Sequence, residues 1–171
     1  MVHDNKAMLK VLVVDDDVDA AASLCSLLRH MGCDTRSAFE IRSALEVAAT
    51  FKPSVVLLDL EMPGADGCQV LKDMKALSDD LHDAFYVCVT GSSQTDSRRR
   101  CEAAGFQRFQ SKPLWLQDLT EILGEGRERV SEARHGRKRR RPHDVHRGAA
   151  RQRAVPEVRA QARRARKQAP A

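Results

Sequence analysis

Three carboxylates, one hydroxyl and one ammonium each stand at the end of a short apolar run in this sequence. Asp15 and Asp16 follow the first run, Asp59 follows another, Thr90 ends a third, and Lys112 stands just after a fourth. Crowded carboxylates raise one another's pKa unless a cation neutralises them. Mg²⁺ prefers oxygen ligands and keeps waters that phosphate oxygens can replace. The set therefore predicts metal binding and phosphoryl chemistry.

Each polar residue in this set has a candidate role. Carboxylates can form acyl phosphates, so Asp59 is the candidate nucleophile. Phosphoryl transfer needs mainly positioning and neutralisation of the phosphoryl oxygens, for which a metal, Lys112 and Thr90 would each take one oxygen. Simpler interpretations exist, since Asp16, Asp17 or Asp19 could cap a helix. Thr90 could likewise cap the helix after it, and Lys112 could be a surface lysine. Their shared position after apolar runs favours one site.

Strand-like runs alternate with helix-like segments along the chain. Apolar runs typical of strands span 9–14, 55–59, 85–90 and 106–110, and a weaker strand is predicted at 33–38, where Asp34 and Arg36 alternate with smaller residues. Helical spacing of apolar residues marks 17–31, 43–50, 70–77 and 115–123, and a polar helix that ends before Gly105 is predicted at 95–104. This alternation predicts an α/β fold with a parallel sheet and helices on both faces. The carboxyl ends of parallel strands converge on one crevice, which would bring the five polar residues together.

Charge divides the chain near Leu123. Residues 1–123 carry 13 Lys and Arg against 19 Asp and Glu, a net charge of −6, and residues 124–171 carry 16 against 5, a net charge of +11. The second part has Val and Ala as its apolar side chains, too little to offset the entropy of folding. We therefore expect an N-terminal extension at 1–8, a domain at 9–123 and a disordered Arg-rich tail at 124–171.

The basic tail has three interpretations. It could bind nucleic acid through phosphate contacts, it could be an inert extension, or it could be GC-rich DNA read in a wrong frame. The tail lacks the large apolar residues that a helix-turn-helix needs, so a sequence-specific DNA-binding module is not expected there.

Cysteine usage and hydropathy indicate a cytoplasmic protein. The five cysteines have no C-x-x-C spacing, which disfavours a zinc site and disulfides. No run approaches 18 apolar residues and no signal peptide is evident, so no membrane span is expected. The sequence also has no ATP-binding motif and no histidine in a kinase phosphoacceptor pattern, so the phosphate donor should be another protein.

Several sequence blocks resemble the receiver domain of two-component response regulators, with chemotaxis regulators as the nearest type. The resemblance covers 9–123 and rests on Val-Val-Asp15-Asp16, Leu-Leu-Asp59-Leu-Glu-Met-Pro-Gly-Ala-Asp-Gly, Val-Thr90-Gly91 and Ser-Lys112-Pro113. It implies a flavodoxin-like (βα)5 fold with strand order 2-1-3-4-5. It also implies that Asp59 accepts a phosphoryl group from a phosphohistidine on a sensor histidine kinase or histidine phosphotransfer protein.

The same resemblance implies further roles in a phosphorelay. Mg²⁺ would be held by Asp16, Asp59 and the backbone carbonyl of Glu61, with Asp15 acting mainly through water. The Lys112-Pro113 peptide bond would be cis.

The resemblance also implies a switch. Phosphate on Asp59 would draw the Thr90 hydroxyl inward, and the aromatic side chain of Phe109 would follow into the vacated space. A downstream protein would then bind the last two helices and the strand between them, around Arg98, Arg99, Phe109 and Trp115.

Two residues near Asp59 could affect how phosphate is gained and lost there. Gly91 has no side chain to screen Asp59, and Glu61 could either repel phosphate or orient a hydrolytic water.

The chain could be a stand-alone response regulator, a receiver from a hybrid histidine kinase, or a receiver that gates a nucleic-acid-binding tail. An α/β phosphatase with an aspartyl-phosphate intermediate is the enzymatic rival, but such enzymes usually place an Asp where Glu61 stands.

Overall fold

The inner strands of the sheet are apolar on both faces, and such segments are stable only when both faces are covered. The computed structural model describes residues 8–64, 66–91 and 95–139. The sheet is parallel, with strand order β2-β1-β3-β4-β5, which confirms the flavodoxin-like order. Its strands are β1 (Leu9–Val14), β2 (Cys33–Ala38), β3 (Val55–Asp59), β4 (Phe85–Thr90) and β5 (Arg108–Ser111).

Helices cover both faces of the sheet, as predicted. In the described part of the chain these are α1 (Val18–His30), α2 (Ile41–Phe51), α3 (Gly67–Leu77), α4 (Asp79–His82), α5 (Thr95–Ala104) and α6 (Leu116–Arg139). One buried cluster joins the sheet to α1 and α6, and a second joins it to the remaining four helices. None of these helices combines the length and the apolar character that crossing a bilayer requires.

β5 and α4 differ from the sequence-based expectation. β5 begins at Arg108 rather than at 106, because the Phe106 N–H donates to the carbonyl of Cys101 and closes the end of α5. The one-turn helix α4 was not predicted, since four residues are too few for a helical period. Ser78 caps α4 by accepting a hydrogen bond from the Leu81 N–H, and the Leu81 side chain is buried.

The last helix continues past Leu123, where the disordered tail was expected to start. Two compact units divide the chain at Ala133, and α6 runs through residues 124–133 of the first unit. Contacts with the core stabilise this segment. Val130 packs on the buried cluster of α1 and α6, and the Arg129 guanidinium lies 4.7 Å from the centre of the Phe85 ring. The last helix thus extends beyond residue 123, and the division into a domain at 9–123 and a tail at 124–171 stays a prediction. The first seven residues and residues 140–171 lie outside the described part of the chain.

Gly126 allows α6 to approach the sheet. A Cβ at this position would lie 2.6 Å from Cγ2 of Val55 and 3.4 Å from Cδ2 of Leu9. The contact with Val55 is too short for a real Cβ, so glycine at 126 keeps this turn of the helix close to β1 and β3. At Gly124, by contrast, a Cβ would meet no atom within 4 Å.

We predict opposite effects of alanine at these two glycines. Gly126→Ala should lower the free energy of unfolding by about 1–3 kcal/mol, because overpacking displaces Val55. Gly124→Ala should raise it by up to about 1 kcal/mol, because alanine favours the helix. Urea unfolding followed by circular dichroism measures both. Equal stability of the two variants would show that α6 does not pack here as described.

Candidate functional site

The ends of β1 and β3 bring three carboxylates to one point. Ligand oxygens of Asp15, Asp16 and Asp59 lie within 4.8 Å of one another. Asp15 and Asp59 are buried, with 7% and 4% of their surface exposed, whereas Asp16 faces solvent. The predicted convergence of these acids is thus present in the structure, and the oxygen donors suit a hard divalent cation.

Backbone N–H groups orient the two buried carboxylates. Oδ1 of Asp15 accepts from the Asp17 N–H at 3.0 Å, and Oδ1 of Asp59 accepts from the Glu61 N–H at 2.9 Å. The helix cap, one of the simpler interpretations of these acids, is provided by Asp17, whose side chain accepts from the N–H groups of Asp19 and Ala20. Asp15 and Asp59 therefore hold defined orientations at the strand ends.

Lys112 joins the two buried carboxylates. Its Nζ lies 2.7 Å from Oδ2 of Asp15 and 2.7 Å from Oδ2 of Asp59. Burial alone would lower the pKa of Lys112, but the hydrogen bonds to Asp15 and Asp59 outweigh it, and the pKa is raised. The ammonium thus stays charged and offsets the repulsion between the acids. The sequence pointed to a lysine beside phosphate, but not to this double bridge.

Thr90 and the loop after β5 complete the same corner of the molecule. Thr90 is fully buried at the end of β4, and its carbonyl accepts from the Lys112 N–H at 2.8 Å. This backbone bond holds Lys112 beside β4. The Lys112-Pro113 peptide bond is cis, as the resemblance implied.

Glu61 and Gly91 lie at the solvent side of the acids. Glu61 is exposed, and its Oε2 would be 3.8 Å from a Cβ placed on Gly91. Gly91 is exposed as well and presents no side chain there. The approach from solvent to the three acids is therefore lined by the Glu61 carboxylate, and at Gly91 no side chain narrows it.

The residues of the predicted partner surface lie on α5, β5 and the start of α6. Phe109 on β5 is partly buried against the cluster beneath α5, and it pairs in register with Cys88 of β4. Arg98 and Arg99 are exposed on α5, and 69% of the Trp115 surface is exposed. The role of this surface in binding a partner stays a prediction.

We predict that Lys112→Met is less stable than wild type by about 1–3 kcal/mol at pH 7. Two buried acids then lose their counter-charge, with a smaller loss than for a fully buried pair because Lys112 is partly accessible. A group with a raised folded pKa stabilises fully below its ordinary pKa, here 10.5, and the effect disappears as the pH rises through the folded value. The deficit should therefore hold from pH 7 to 9 and shrink above 10.5.

Urea unfolding at several pH values measures this deficit, with Lys72→Met on the exposed face of α3 as the matched control. A deficit as large for Lys72→Met, or none for Lys112→Met, would contradict the bridging role of Lys112.

Comparisons with known proteins agree with this geometry. The family model of the response regulator receiver domain matches residues 11–124. The transcriptional regulatory protein PrrA of Mycobacterium tuberculosis is 36% identical over 111 residues, which cover 64% of this chain and 46% of PrrA. Sporulation initiation phosphotransferase F of Bacillus subtilis is 26% identical over 114 residues, covering 67% of this chain and 90% of that protein.

Solved structures show the same fold. The chemotaxis protein CheY4 of Vibrio cholerae has a TM-score of 0.65 at 24% identity, covering 70% of this chain and 98% of CheY4. A receiver domain protein of Methanospirillum hungatei has a TM-score of 0.67 at 23% identity, covering 74% of this chain and 99% of that one. The chain spans about half the length of PrrA. With its matched residues and its strand-end acids, the chain belongs to the response regulator receiver domain family of two-component signalling proteins.

Proposed function

We propose that Asp59 accepts a phosphoryl group from a phosphohistidine on a sensor kinase or a phosphotransfer protein. The observation that supports this role most strongly is the position of Asp59, whose buried carboxylate is oriented by the Glu61 N–H and contacts the Lys112 ammonium. Receiver domains as a family take phosphoryl groups from such donors.

The residues around Asp59 divide the work of transfer. An oxygen of Asp59 attacks phosphorus, and the bond to the donor histidine nitrogen breaks as the acyl phosphate forms. Lys112, released from one of its two carboxylates, neutralises a phosphoryl oxygen. Asp15, Asp16, Asp59 and the Glu61 carbonyl would hold Mg²⁺, which when bound supplies positive charge to the phosphoryl oxygens.

The switch is proposed to connect this site to the surface of α5, β5 and α6. Thr90 is buried beside β5, and Phe109 packs at the edge of the core, so a shift of Thr90 toward a phosphoryl group would leave space that Phe109 can enter. A change at this surface would be recognised by a downstream protein near Arg98, Arg99 and Trp115. This is a two-state element biased by local charge.

The chemistry we propose is self-phosphorylation and self-dephosphorylation at Asp59, with no metabolite turned over. The five free cysteines support a reducing cytoplasm as the location. We keep three proposals for the whole protein: it acts alone, it belongs to a hybrid kinase, or it binds nucleic acid through its basic tail. Residues 140–171 of that tail lie outside the described part of the chain.

We predict that a small phosphodonor such as acetyl phosphate labels the wild-type chain in the presence of Mg²⁺ and that Asp59→Asn abolishes labelling. Asp17→Asn is the matched control, because asparagine still caps α1 and leaves Asp59 in place. Acyl phosphate formed with radioactive donor measures the reaction, with chelation of Mg²⁺ as a second arm. Undiminished labelling of Asp59→Asn, or labelling that ignores Mg²⁺, would refute the proposal.

We predict that Glu61→Gln lengthens the lifetime of the acyl phosphate about two- to tenfold. The carboxylate of Glu61 lies at the open approach and can orient the attacking water, with a smaller gain than the 100-fold or more of a buried general base. The decay of purified phosphoprotein measures the effect, and Glu46→Gln on α2 serves as the control. An unchanged or shorter lifetime would contradict the role of Glu61 in orienting the attacking water.

A further inference from the structure

Two cysteines face each other between the sheet and α5. The Sγ atoms of Cys88 on β4 and Cys101 on α5 are 2.8 Å apart, and both residues are fully buried. Cys68 of α3 lies at the edge of the same cluster, with its Sγ 3.9 Å from the Arg100 carbonyl. Cys25 and Cys33 belong to the cluster on the opposite face of the sheet. The function proposed above uses none of these thiols.

We propose that Cys88 and Cys101 form an oxidation site, at which a hydroperoxide converts the two thiols into a reversible disulfide that links β4 to α5. The contact between their sulfurs is already shorter than an ordinary thiol hydrogen bond of 3.6 Å, such as that of Cys25 to the Arg36 carbonyl. Little movement of α5 therefore separates the thiol pair from the linked state.

The reaction balances with hydrogen peroxide as the oxidant. One thiolate attacks a peroxide oxygen, the O–O bond breaks, and a sulfenic acid forms as the first water leaves. The second thiol attacks this sulfur, the S–S bond forms, and a second water leaves. Two thiols lose two electrons and two protons, and the peroxide takes up both.

The order of attack follows from the surroundings of the two thiols. Burial raises the pKa of both, but the contact with Cys88 and the nearby Arg100 partly offset this for Cys101. Cys101 also lies on the helix α5, at the surface of the sheet, whereas Cys88 lies within β4, so Cys101 is the thiol that attacks peroxide and Cys88 the one that resolves the sulfenic acid. Because both are fully buried, oxidation proceeds through local opening of α5 and is slow compared with that of an exposed thiol.

The disulfide would act on the switch, a consequence that rests on the proposed function. Cys88 lies two residues before Thr90, on the same face of β4, and Asp59 pairs in register with the neighbouring Val89. A covalent link from β4 to α5 would hold this region in the conformation seen without phosphate. Anything that stabilises that conformation must oppose phosphorylation by the same free energy.

Peptide mapping of the full chain after hydrogen peroxide treatment tests the site. Trypsin separates the two cysteines into peptides 76–98 and 101–108, and it leaves Cys68 in a third peptide. We expect a cross-linked pair of 76–98 with 101–108 that dithiothreitol reverses. Reactive thiols in the denatured chain should fall from five to three.

Substitutions provide the controls. Cys88→Ala and Cys101→Ala should each abolish the cross-link, and Cys33→Ala should leave it intact. Five remaining thiols in oxidised wild type, a cross-link through Cys68 or between two chains, or sulfinic acid without a cross-link would each overturn the proposal. The wild-type result does not depend on whether the variants fold.

Labelling by acetyl phosphate measures the consequence for the switch. We expect oxidised wild type to be labelled at least about fivefold more slowly than the reduced protein, at the lower end of allosteric couplings. Peroxide-treated Cys101→Ala should keep its untreated rate. Equal rates for oxidised and reduced wild type would refute the effect on the switch. The cross-link is detected from peptide masses without any phosphodonor, so its result is independent of the function proposed for Asp59.

Discussion

The Lys112 ammonium, held between Asp15 and Asp59, is the interaction on which the site depends. A parallel sheet directs the polar ends of its central strands to one place, so acids in these positions must lie close together. Two like charges about 4 Å apart repel by roughly 4 kcal/mol at an effective dielectric constant of about 20. A fixed cation makes this arrangement tolerable, and the same cation can transfer its charge to a phosphoryl group. The contact of Lys112 with Asp15 and Asp59 therefore contributes both to the stability of the fold and to the proposed phosphoryl chemistry.

The edge of the sheet serves to hold that cation in place. Lys112 follows β5, and its backbone N–H bonds the Thr90 carbonyl at the end of β4. β5 is in turn fixed to α6, because the Arg108 guanidinium forms ion pairs with Glu121 and Glu125. Hydrogen bonds to these two carboxylates raise the pKa of Arg108, although burial opposes the shift. β5 has few apolar residues, yet these contacts with α6 fix its position and, with it, the position of Lys112.

Most of the fold and the positions of the site residues could be predicted from the sequence. The bounds of β1 to β4 agree with the predicted strands, and polar site residues mark the ends of β1, β3 and β4. β5 begins two residues later than predicted because the Phe106 N–H donates to the Cys101 carbonyl at the end of α5. Nothing in the local sequence indicates this bond. The extension of α6 depends on close approach at Gly126, where the absence of a side chain is what matters. The double bridge of Lys112 and the Cys88–Cys101 contact depend on side-chain directions across different elements, which spacing does not reveal.

Reductive trapping of the phosphorylated chain tests the central claim most directly. Borohydride reduces an aspartyl phosphate to homoserine, and mass spectrometry of the peptides then locates the modified residue. The account predicts homoserine at position 59 after treatment with a phosphodonor and Mg²⁺, with Asp15 and Asp16 unchanged. Homoserine at position 15 or 16, or no homoserine at all in the folded, Mg²⁺-loaded chain, would contradict it.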